Sequence, residues 1–530
     1  MLMQRSLVPL VIAVSTYFAV APATAEPSAQ ASSAARADVN GDGIADLVMS
    51  TGARLTYSGD TALVPHDLGG SVQVVPGGLT LPAALVNQNS PGVGLGMEAG
   101  DRFGTALATA DFNGDGLADV AIGNPGESVN GLANAGTVSV LYGQRTAPYL
   151  RTIAGALGTI TQDTANVPGA MEAGDLFGAS LAAGDFNGDG YADLGIGSPG
   201  EAIETKARAG AVWIFHGGSA GLTSTGAIAF NQDHADLAGA AEAGDLMGFA
   251  LAAGDVTGDK RDDLAVLSAG EVISGTTGAT GAVHLLHGSA SGVNPVGSYV
   301  SVGAAATGGK WRSLVVGKFH GGANADLVIQ ADQRRGGPAG SGALVAVRGS
   351  GTGLTTAGIQ VIDQDTATVP GGTEPNDFFG GSLAVGDLDG DSFDDLAAGS
   401  IKENTRAGSV FLFRGSATGL LTHPPSAFGE NAAPINGNEQ PGEGFGYGLR
   451  VLDVTGDGKP ELVVAAPWED GSLQTGALFL LTTGLSGDSL AVTGSRRVTR
   501  ADISTPSGFG PGAPIAGSAH VLNDNLDSPR

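Results

Sequence analysis

The chain has 530 residues, of which 42% are hydrophobic, 5% aromatic and 15% charged, and its formal net charge is −28 at pH 7. So few charges exclude coiled coils and other long-helix proteins, and 53 acidic against 25 basic residues argue against a nucleic-acid-binding surface. Because there is no cysteine, disulfides, thiolate metal sites and a cysteine nucleophile are excluded too. The acidic excess indicates either a solvated surface or a set of cation sites.

Residues 1–25 have the pattern of a secretory signal peptide. Arg5 precedes an apolar stretch from Leu7 to Val20, and Ala23-Thr24-Ala25 supplies the small residues of a cleavage site. The apolar stretch is shorter than the roughly 20 residues of a membrane span, so cleavage is preferred to an uncleaved anchor. No later stretch is long and apolar enough to span a membrane. We therefore expect a secreted, extracellular protein in which residues 26–36 form a linker or a first inner strand.

One acidic segment recurs along residues 37–505 and defines a repeat. A clear copy is Asp185-Phe-Asn-Gly-Asp-Gly-Tyr-Ala-Asp193, whose residues we number as positions 1 to 9; positions 1, 3, 5 and 9 carry side-chain oxygens. A decayed copy, from Lys318 to Asp326, has lost most of these groups. The seven copies begin at residues 38, 111, 185, 255, 318, 387 and 453.

Apolar segments keep step with the acidic segment. In the third copy Phe177-Gly178 and an apolar run precede it, a second run begins at Asp193, and a Gly-bounded run from Gly210 to Gly217 comes next. A fourth candidate strand, such as Thr159 to Asp163, precedes each new unit. Four strands repeated seven times, with a period above about 40 residues, predict an all-β, seven-bladed propeller of four-stranded antiparallel blades. A linear β-solenoid is the alternative, but its repeats are usually much shorter.

The acidic segment carries the donor set of a calcium-binding hairpin loop. Ca²⁺ takes six to eight oxygen ligands at about 2.3–2.6 Å, and glycine supplies the sharp turn that a short loop needs. Asp, Asn and Gly also make good turns without any ion, but six loops in one register would each hold three or four acids that repel one another. Mg²⁺ fits less well because it prefers fewer dedicated protein ligands. We therefore predict about six Ca²⁺ sites, in the loops that join the first two strands of the blades.

The predicted ligands stand at positions 1, 3, 5 and 9 of six loops. Blades 4 and 7 carry Thr at position 3, and position 9 of blade 7 is Glu, so these two sites are expected to bind more weakly. Blade 5 is expected to hold no ion, with Lys318 replacing it electrostatically. The ligands are Asp38, Asn40, Asp42, Asp46, Asp111, Asn113, Asp115, Asp119, Asp185, Asn187, Asp189, Asp193, Asp255, Thr257, Asp259, Asp263, Asp387, Asp389, Asp391, Asp395, Asp453, Thr455, Asp457 and Glu461.

These motifs resemble the FG-GAP repeat family, the propeller of integrin α subunits and of many secreted bacterial proteins. The resemblance covers residues 37–505, and the acidic loop sits between the two halves of the motif, as the family requires. It implies a seven-bladed propeller with Ca²⁺ in hairpin loops on one face and ligand binding on the opposite face. The motif halves stand at Phe103-Gly104, Phe177-Gly178, Phe379-Gly380 and Phe445-Gly446, and at Gly123-Asn124-Pro125, Gly197-Ser198-Pro199 and Ala465-Ala466-Pro467.

A second set of acids recurs eight residues after position 9, in the loop between the second and third strands. That loop opens on the face opposite the acidic loops because neighbouring strands are antiparallel. The same count reaches Arg54 in blade 1 and Arg334 in blade 5. These acids have two interpretations. They could form a rim that recognises basic or polyhydroxylated ligands, or a further cation. The preferred interpretation is that they bond local backbone N–H groups. They are Glu127, Glu201, Glu271, Glu403 and Glu469.

Residues 506–530 are expected to form a C-terminal tail. Phe509-Gly510 repeats the Phe-Gly pair and would allow the tail to close the ring beside blade 1, although prolines around it disfavour a strand.

Catalytic motifs are weak. Gly217-Gly-Ser-Ala-Gly221 matches a nucleophile pattern, but Gly288-Ser-Ala-Ser-Gly292 shows that this is repeat turn chemistry, and the strand-to-helix context is missing. We therefore expect a secreted, monomeric, calcium-binding propeller that acts as an extracellular binding or adhesion module for a protein or glycan, and we favour a non-enzymatic role. The alternative is a secreted propeller hydrolase or lyase acting on polysaccharide or phosphoester, since the acid pairs that cleave glycosides need no local motif.

Overall fold

The structure, a computed structural model, describes residues 37–51, 70–79, 83–272, 279–295, 299–300, 307–467, 476–499 and 502. The predicted signal peptide, residues 26–36, Arg54, Glu469 and the pair Phe509-Gly510 lie outside these ranges. Within them, no helix is long and apolar enough to cross a membrane.

The first three sheets follow the repeat in chain order. Sheet 1 has three described strands, and the fourth strand of sheet 2 is broken into β7 and β8, which both pair with β6. The strands are β1 (Leu47–Thr51), β2 (Ser71–Val75) and β3 (Ala84–Val86); β4 (Ala106–Ala110), β5 (Asp119–Asn124), β6 (Thr137–Gly143), β7 (Leu150–Arg151) and β8 (Thr159–Ile160); β9 (Ser180–Gly184), β10 (Asp193–Ser198), β11 (Ala211–His216) and β12 (Thr223–Phe230).

The remaining four sheets repeat the pattern. In sheet 4 the outer strand is again broken, and β15 adds to sheet 5 as a short parallel neighbour of β19. The strands are β13 (Met247–Gly254), β14 (Asp263–Ser268), β16 (Ala282–Ser289), β17 (Gly292–Asn294) and β18 (Tyr299–Val300); β15 (Ala279–Thr280), β19 (Thr307–Gly317), β20 (Asp326–Arg334), β21 (Ala343–Ser350) and β22 (Gly353–Ile362); β23 (Phe379–Gly386), β24 (Asp395–Ser400), β25 (Ser409–Phe413) and β26 (Ser426–Phe428); β27 (Gly448–Leu452), β28 (Glu461–Ala466), β29 (Ala477–Ser486) and β30 (Ser489–Thr499).

The predicted seven-bladed propeller of four-stranded antiparallel blades is confirmed. Within a blade the strands follow one another across the sheet, as in the order β9-β10-β11-β12. In blades 2 to 7 each Gly-bounded run is the third strand, and the acidic loop joins the first strand to the second; in sheet 1 the acidic loop precedes β1 and the Gly-bounded run forms β2. The acidic loops therefore share one end of the propeller, and the loops between second and third strands share the other.

The hydrophobic core is divided among the junctions between blades. One cluster, for example, joins Ala106 and Val138 of blade 2 to Leu181 and Trp213 of blade 3. Corresponding clusters join the other neighbouring pairs, including blade 7 to blade 1 through Leu452 and Leu47. Each blade thus buries both faces against its neighbours, which explains why the strands read as continuous apolar runs rather than alternating ones.

The Phe-Gly motif builds these junctions. The backbone N–H of Phe177 donates to the carbonyl of Ala135 in the preceding blade at 3.0 Å, and its ring packs edge-to-face on Trp213 with 5.4 Å between centroids. Phe379 and Phe445 make the same kind of backbone bond to Ser341 and Ala407. The phenylalanine therefore bonds to the preceding blade through its backbone N–H and packs its ring within its own blade.

A backbone hydrogen bond also links neighbouring acidic loops. The N–H at position 8 of one loop donates to the carbonyl at position 1 of the preceding loop, as Ala192 does to Asp111 at 3.1 Å. The last such bond runs from Ala45 of blade 1 to Asp453 of blade 7 at 3.2 Å. In blade 7 position 8 is Pro460, which has no N–H, and the hydroxyl of Thr483 donates to Leu388 of blade 6 instead, at 2.7 Å. The loops are thus joined around the ring.

Replacing Gly210 by Ala should weaken the junction between blades 3 and 4. Gly210 (φ +83°) and Gly155 (φ +92°) both have left-handed backbone, but a Cβ added to Gly210 would lie 2.3 Å from the carbonyl oxygen of Met247, whereas one added to Gly155 would meet nothing within 4 Å. We expect Gly210→Ala to lower the free energy of unfolding by about 1–3 kcal/mol more than Gly155→Ala, measured by urea denaturation. Equal losses would mean that the junction adjusts without cost.

Candidate metal centres

The position-1 aspartate organises each acidic loop. In blade 2, Oδ1 of Asp111 accepts hydrogen bonds from the N–H groups of Gly114 (2.6 Å) and Asp115 (3.2 Å), and Oδ2 accepts one from Gly116 (2.8 Å). Both glycines have positive φ, at +73° and +82°. The loop therefore needs Asp and Gly for its shape even before an ion is considered.

The position-9 aspartate is buried and ties the loop to the third strand. In blade 2, Asp119 accepts hydrogen bonds from the N–H of Phe112 in its own loop and from Gly143 at the end of β6, both at 2.9 Å. The bond to the third-strand glycine recurs at 2.8–3.0 Å in the pairs Asp46–Gly77, Asp193–Gly217, Asp263–Gly288, Asp326–Gly349 and Asp395–Gly415.

The sequence did not reveal this structural role of position 9. Asp326 keeps it in blade 5, where the other loop acids are absent. The persistence of Asp326 in the decayed copy, together with Gly349 at the end of the Gly-bounded run, was the signal that would have shown it.

Burial disfavours the ionised form of the position-9 carboxyl groups when no cation is near. Burial, opposed by backbone hydrogen bonds, raises the pKa of Asp46 to about 7 and that of Asp119 to about 8. The same cause raises the pKa of Asp263 to about 7 and that of Asp395 to about 8. Repulsion from other acids of the same loop raises these pKa values further. A bound cation would remove this penalty.

Three loops bring carboxylates close enough to share one ion. Two oxygens that bind one Ca²⁺ at about 2.4 Å lie at most about 4.8 Å apart. Among the described residues, oxygens of Asp38, Asp42 and Asp46 fall within 4.8 Å of one another, and so do those of Asp387, Asp389 and Asp395 and those of Asp453, Asp457 and Glu461. All of these are hard oxygen donors, so the residues present fit Ca²⁺.

Position 3 distinguishes the loops. Asn113 in blade 2 accepts the N–H of Asp115 at 2.8 Å through its side-chain oxygen. In blade 7 the hydroxyl of Thr455 instead donates to Glu461 at 2.8 Å, and in blade 4 that of Thr257 donates to Asp263 at 3.4 Å. The threonines thus donate toward position 9, as the amide of Asn40 also does to Asp46 at 2.9 Å, and the weaker binding of these two loops stays a prediction.

Basic side chains approach several of the described loops, among them Arg261, 3.0 Å from Asp259 in blade 4, and His216, 3.2 Å from Asp193 in blade 3. In blade 6 the Arg414 guanidinium contacts Asp389 at 2.5 Å and Asp391 at 3.0 Å. In blade 5, the His320 ring lies 2.6 Å from Asp326, and the replacement of an ion by Lys318 stays a prediction. The imidazole reaches position 9 because it stands at position 3 of the same loop.

The glutamates of the opposite loops lie between blades, not on an open rim. Glu127, Glu201 and Glu271 are buried, Glu403 is half-buried in the turn Glu403–Arg406, and Glu469 lies outside the described residues. Each described glutamate accepts a hydrogen bond from a glutamine of the preceding blade, 39 residues earlier. The pairs are Gln88–Glu127, Gln162–Glu201, Gln232–Glu271 and Gln364–Glu403. A role of these glutamates in ligand binding stays a prediction, now limited to small ligands or ions.

Blade 5 departs from this arrangement. Arg334 stands in place of the glutamate, and the residue 39 positions earlier is Pro295. The guanidinium of Arg334 donates to the carbonyl of Val361 at 2.5 Å and lies 3.4 Å from Asp363 of its own blade. Blade 5 thus lacks both the glutamine and the glutamate, whereas the sequence of blade 7 keeps Glu469 and has Glu430 in place of the glutamine.

These observations define a seven-bladed β-propeller with repeated acidic loops at one end. Comparison with known proteins agrees: residues 103–141, 177–215, 379–413 and 445–481 match the FG-GAP repeat model. The chain therefore contains four FG-GAP repeats. The four matches fall in blades 2, 3, 6 and 7, where the Phe-Gly pair and the acidic loop are best preserved.

Curated relatives include proteins of two kinds. The chain is 32% identical to integrin alpha-PS2 of Drosophila melanogaster over 177 residues, 32% of this chain and 12% of that protein. It is 29% identical to phosphatidylinositol-glycan-specific phospholipase D of Bos taurus over 169 residues, 31% of this chain and 18% of that protein. The matches thus cover less than a fifth of these relatives. The solved structure of rhamnogalacturonan lyase YesW covers 93% of this chain and 68% of its own, at 13% identity and a TM-score of 0.37.

In the absence of calcium, stability should fall as the pH rises. A carboxyl whose pKa is raised in the folded state stabilises the fold below its unfolded pKa and loses that contribution as the pH passes its folded pKa. With Asp119 raised from 3.8 to about 8, we expect the free energy of unfolding in chelator to decrease from about pH 4 to pH 8, and saturating Ca²⁺ to suppress the decrease.

Two variants test the origin of this pH dependence. Asp119→Asn removes a titrating group and should flatten part of the slope measured by denaturation at several pH values. Asp488→Asn, on an exposed turn, removes an equal charge and should leave the slope unchanged. Stability that increases with pH in chelator would contradict the assignment.

Proposed function

We propose that this protein is a secreted, calcium-binding propeller that acts as an extracellular binding or adhesion module for a protein or glycan ligand. Six acidic loops in the same register carry the proposal. Their buried position-9 carboxylates, with the acids that three of the loops bring within 4.8 Å of one another, form a donor set that suits Ca²⁺. The fifth loop, in which His320 pairs with Asp326, takes no ion.

Calcium in these loops would be structural. Apart from that of blade 7, each of these loops contributes a bond to its own third strand and a backbone bond to the neighbouring loop. An ion that holds positions 1 to 9 together therefore stabilises a blade and its junction at the same time. The opposite end of the propeller is then left as the face for a ligand. The integrin α and phospholipase D relatives support an extracellular setting, and the pattern of residues 1–25 supports export with cleavage after Ala25.

Removing calcium should destabilise the protein strongly. A ligand at 100 times its Kd stabilises the folded state by about 2.7 kcal/mol per site, so EDTA should lower the melting temperature by many degrees. Asp387→Asn in blade 6 should lower the number of bound ions by one, counted by elemental analysis after gel filtration. His320→Asn changes the fifth loop and should leave that number unchanged. A melting temperature indifferent to EDTA would refute the calcium assignment.

Ligand binding should depend on the folded, calcium-loaded propeller. We expect the mature protein to bind a subset of extracellular-matrix proteins or glycans on an array, and to lose that binding in EDTA. Asp387→Asn should weaken binding only as far as it lowers stability, because this loop lies at the other end of the blade. A panel of polysaccharide and phosphoester substrates serves as the counter-test: turnover abolished by one point mutation would show an enzyme instead.

A further inference from the structure

The loops opposite the calcium loops contain a recurring cluster of one glutamine and two acids. In blade 3 it consists of Gln162, Asp175 and Glu201, which are 1%, 1% and 8% exposed. We call this the amide–acid cluster. The four described copies are Gln88, Asp101 and Glu127; Gln162, Asp175 and Glu201; Gln232, Asp245 and Glu271; and Gln364, Asp377 and Glu403.

The backbone holds the two acids of the cluster close together. Asp175 precedes the Phe-Gly pair of blade 3, and its carbonyl accepts the N–H of Gly200, next to Glu201, at 3.0 Å. One side-chain oxygen of Asp175 caps its own turn by accepting the N–H of Glu172 at 2.6 Å. Gln162, two residues after the end of β8 in blade 2, donates its amide N–H to Glu201 at 2.5 Å. The cluster therefore forms only where two blades meet.

An orphaned amide oxygen lies in every copy. Oε1 of Gln88, Gln162, Gln232 and Gln364 is buried without a hydrogen-bond partner. Because the amide nitrogen of the same group is bonded to the glutamate, this oxygen lies beside the carboxylate. In blade 4 the hydroxyl of Ser268, three residues before Glu271, is orphaned as well. A buried acceptor costs about 1–3 kcal/mol when it has no partner, so four repeats of the same orphan indicate a missing electrophilic partner.

We propose that the amide–acid clusters form a second ring of divalent-cation sites, at the end of the propeller opposite the hairpin loops. The ligands would be the orphaned glutamine oxygen and the carboxylates of the aspartate and the glutamate. All three are hard oxygen donors: the two carboxylates carry charge and the amide oxygen is neutral. Such a set suits Ca²⁺ among the common divalent cations. The proposal does not depend on the hairpin loops, because β10 separates Asp193 from Glu201 by roughly 20 Å.

Electrostatics supports a cation there. Burial, with repulsion from Asp175 and Glu172, raises the pKa of Glu201 to about 7, and burial raises the pKa of Asp175 to about 6. A cation would relieve both effects and satisfy the glutamine oxygen at once. In blade 7, Glu430 stands where the other copies have glutamine, and Glu443 where they have aspartate; both are fully buried. The junction there concentrates still more negative charge.

The competing occupants are a proton or a water molecule. A proton on Glu201 would donate to the glutamine oxygen if the amide were turned over, and a water could do the same without any charge. Both alternatives predict that the glutamate is unnecessary for ion binding. A cation predicts that removing one carboxylate removes one ion.

Ion counting in single-site variants separates these cases. With the mature full-length chain and calcium alone as the probe, Glu201→Gln should lower the number of bound ions by one, as should Asp185→Asn in the hairpin loop of the same blade. The double variant should lose two, because the sites lie at opposite ends of the blade. Asp488→Asn should lose none. An unchanged number for Glu201→Gln would overturn the proposal while leaving the hairpin-loop assignment intact.

Stability gives a second, independent measurement. In EDTA at pH 8, Glu201→Gln should melt at or above the temperature of the unsubstituted protein, because it removes repulsion. In saturating Ca²⁺ it should melt below that temperature, because it lacks one site. Asp175→Asn should show the same reversal if Glu201→Gln does not fold. A variant that is more stable under both conditions would identify the occupant as a proton or water.

Discussion

A carboxylate buried at the end of every acidic loop is the group on which the rest of the molecule depends. Asp119 accepts backbone N–H bonds from its own loop and from the glycine that ends the third strand. It thereby fixes the loop, the register of the sheet and the end of the blade with a single side chain. The same burial raises its pKa, so the group that shapes the blade also creates the need for a cation.

The junctions extend this local order around the ring. Backbone hydrogen bonds join neighbouring acidic loops at one end of the propeller. The Phe-Gly residues join neighbouring blades where the first strands begin. Small first-strand residues such as Ala182 and Ala183 allow the first strands of neighbouring blades to converge, where larger side chains would collide. Each blade is therefore stable only between two neighbours, as expected of repeat architectures. Blade 1 and blade 7 complete the ring through packing of Leu47 and Leu452.

The two ends of a blade handle buried charge differently. At the hairpin end, backbone N–H groups surround the acids and the loop itself provides several oxygens. At the opposite end, two acids and one amide from neighbouring blades meet with few backbone donors. The first arrangement can be built within one blade, whereas the second exists only when two blades are in contact. A ligand or ion at the second end would therefore report on the closed ring.

The sequence by itself determined the strand order, the number of blades and the position of the acidic loops, because these are local patterns repeated at a regular spacing. It also located the glutamates such as Glu201, but it assigned them to an open rim or to local backbone bonds. Only the tertiary structure decided that Glu201 is buried against Gln162 of another blade, that Asp326 serves the third strand, and that His320 is its partner. The physical reason is that the contacts of Glu201 with Gln162 and of Asp326 with Gly349 join residues of different blades or strands, and their burial follows from the closure of the ring. The contact of His320 with Asp326 lies within one loop, but it depends on how that loop is folded. No spacing along the chain records which side chains lose contact with water when seven sheets pack against one another.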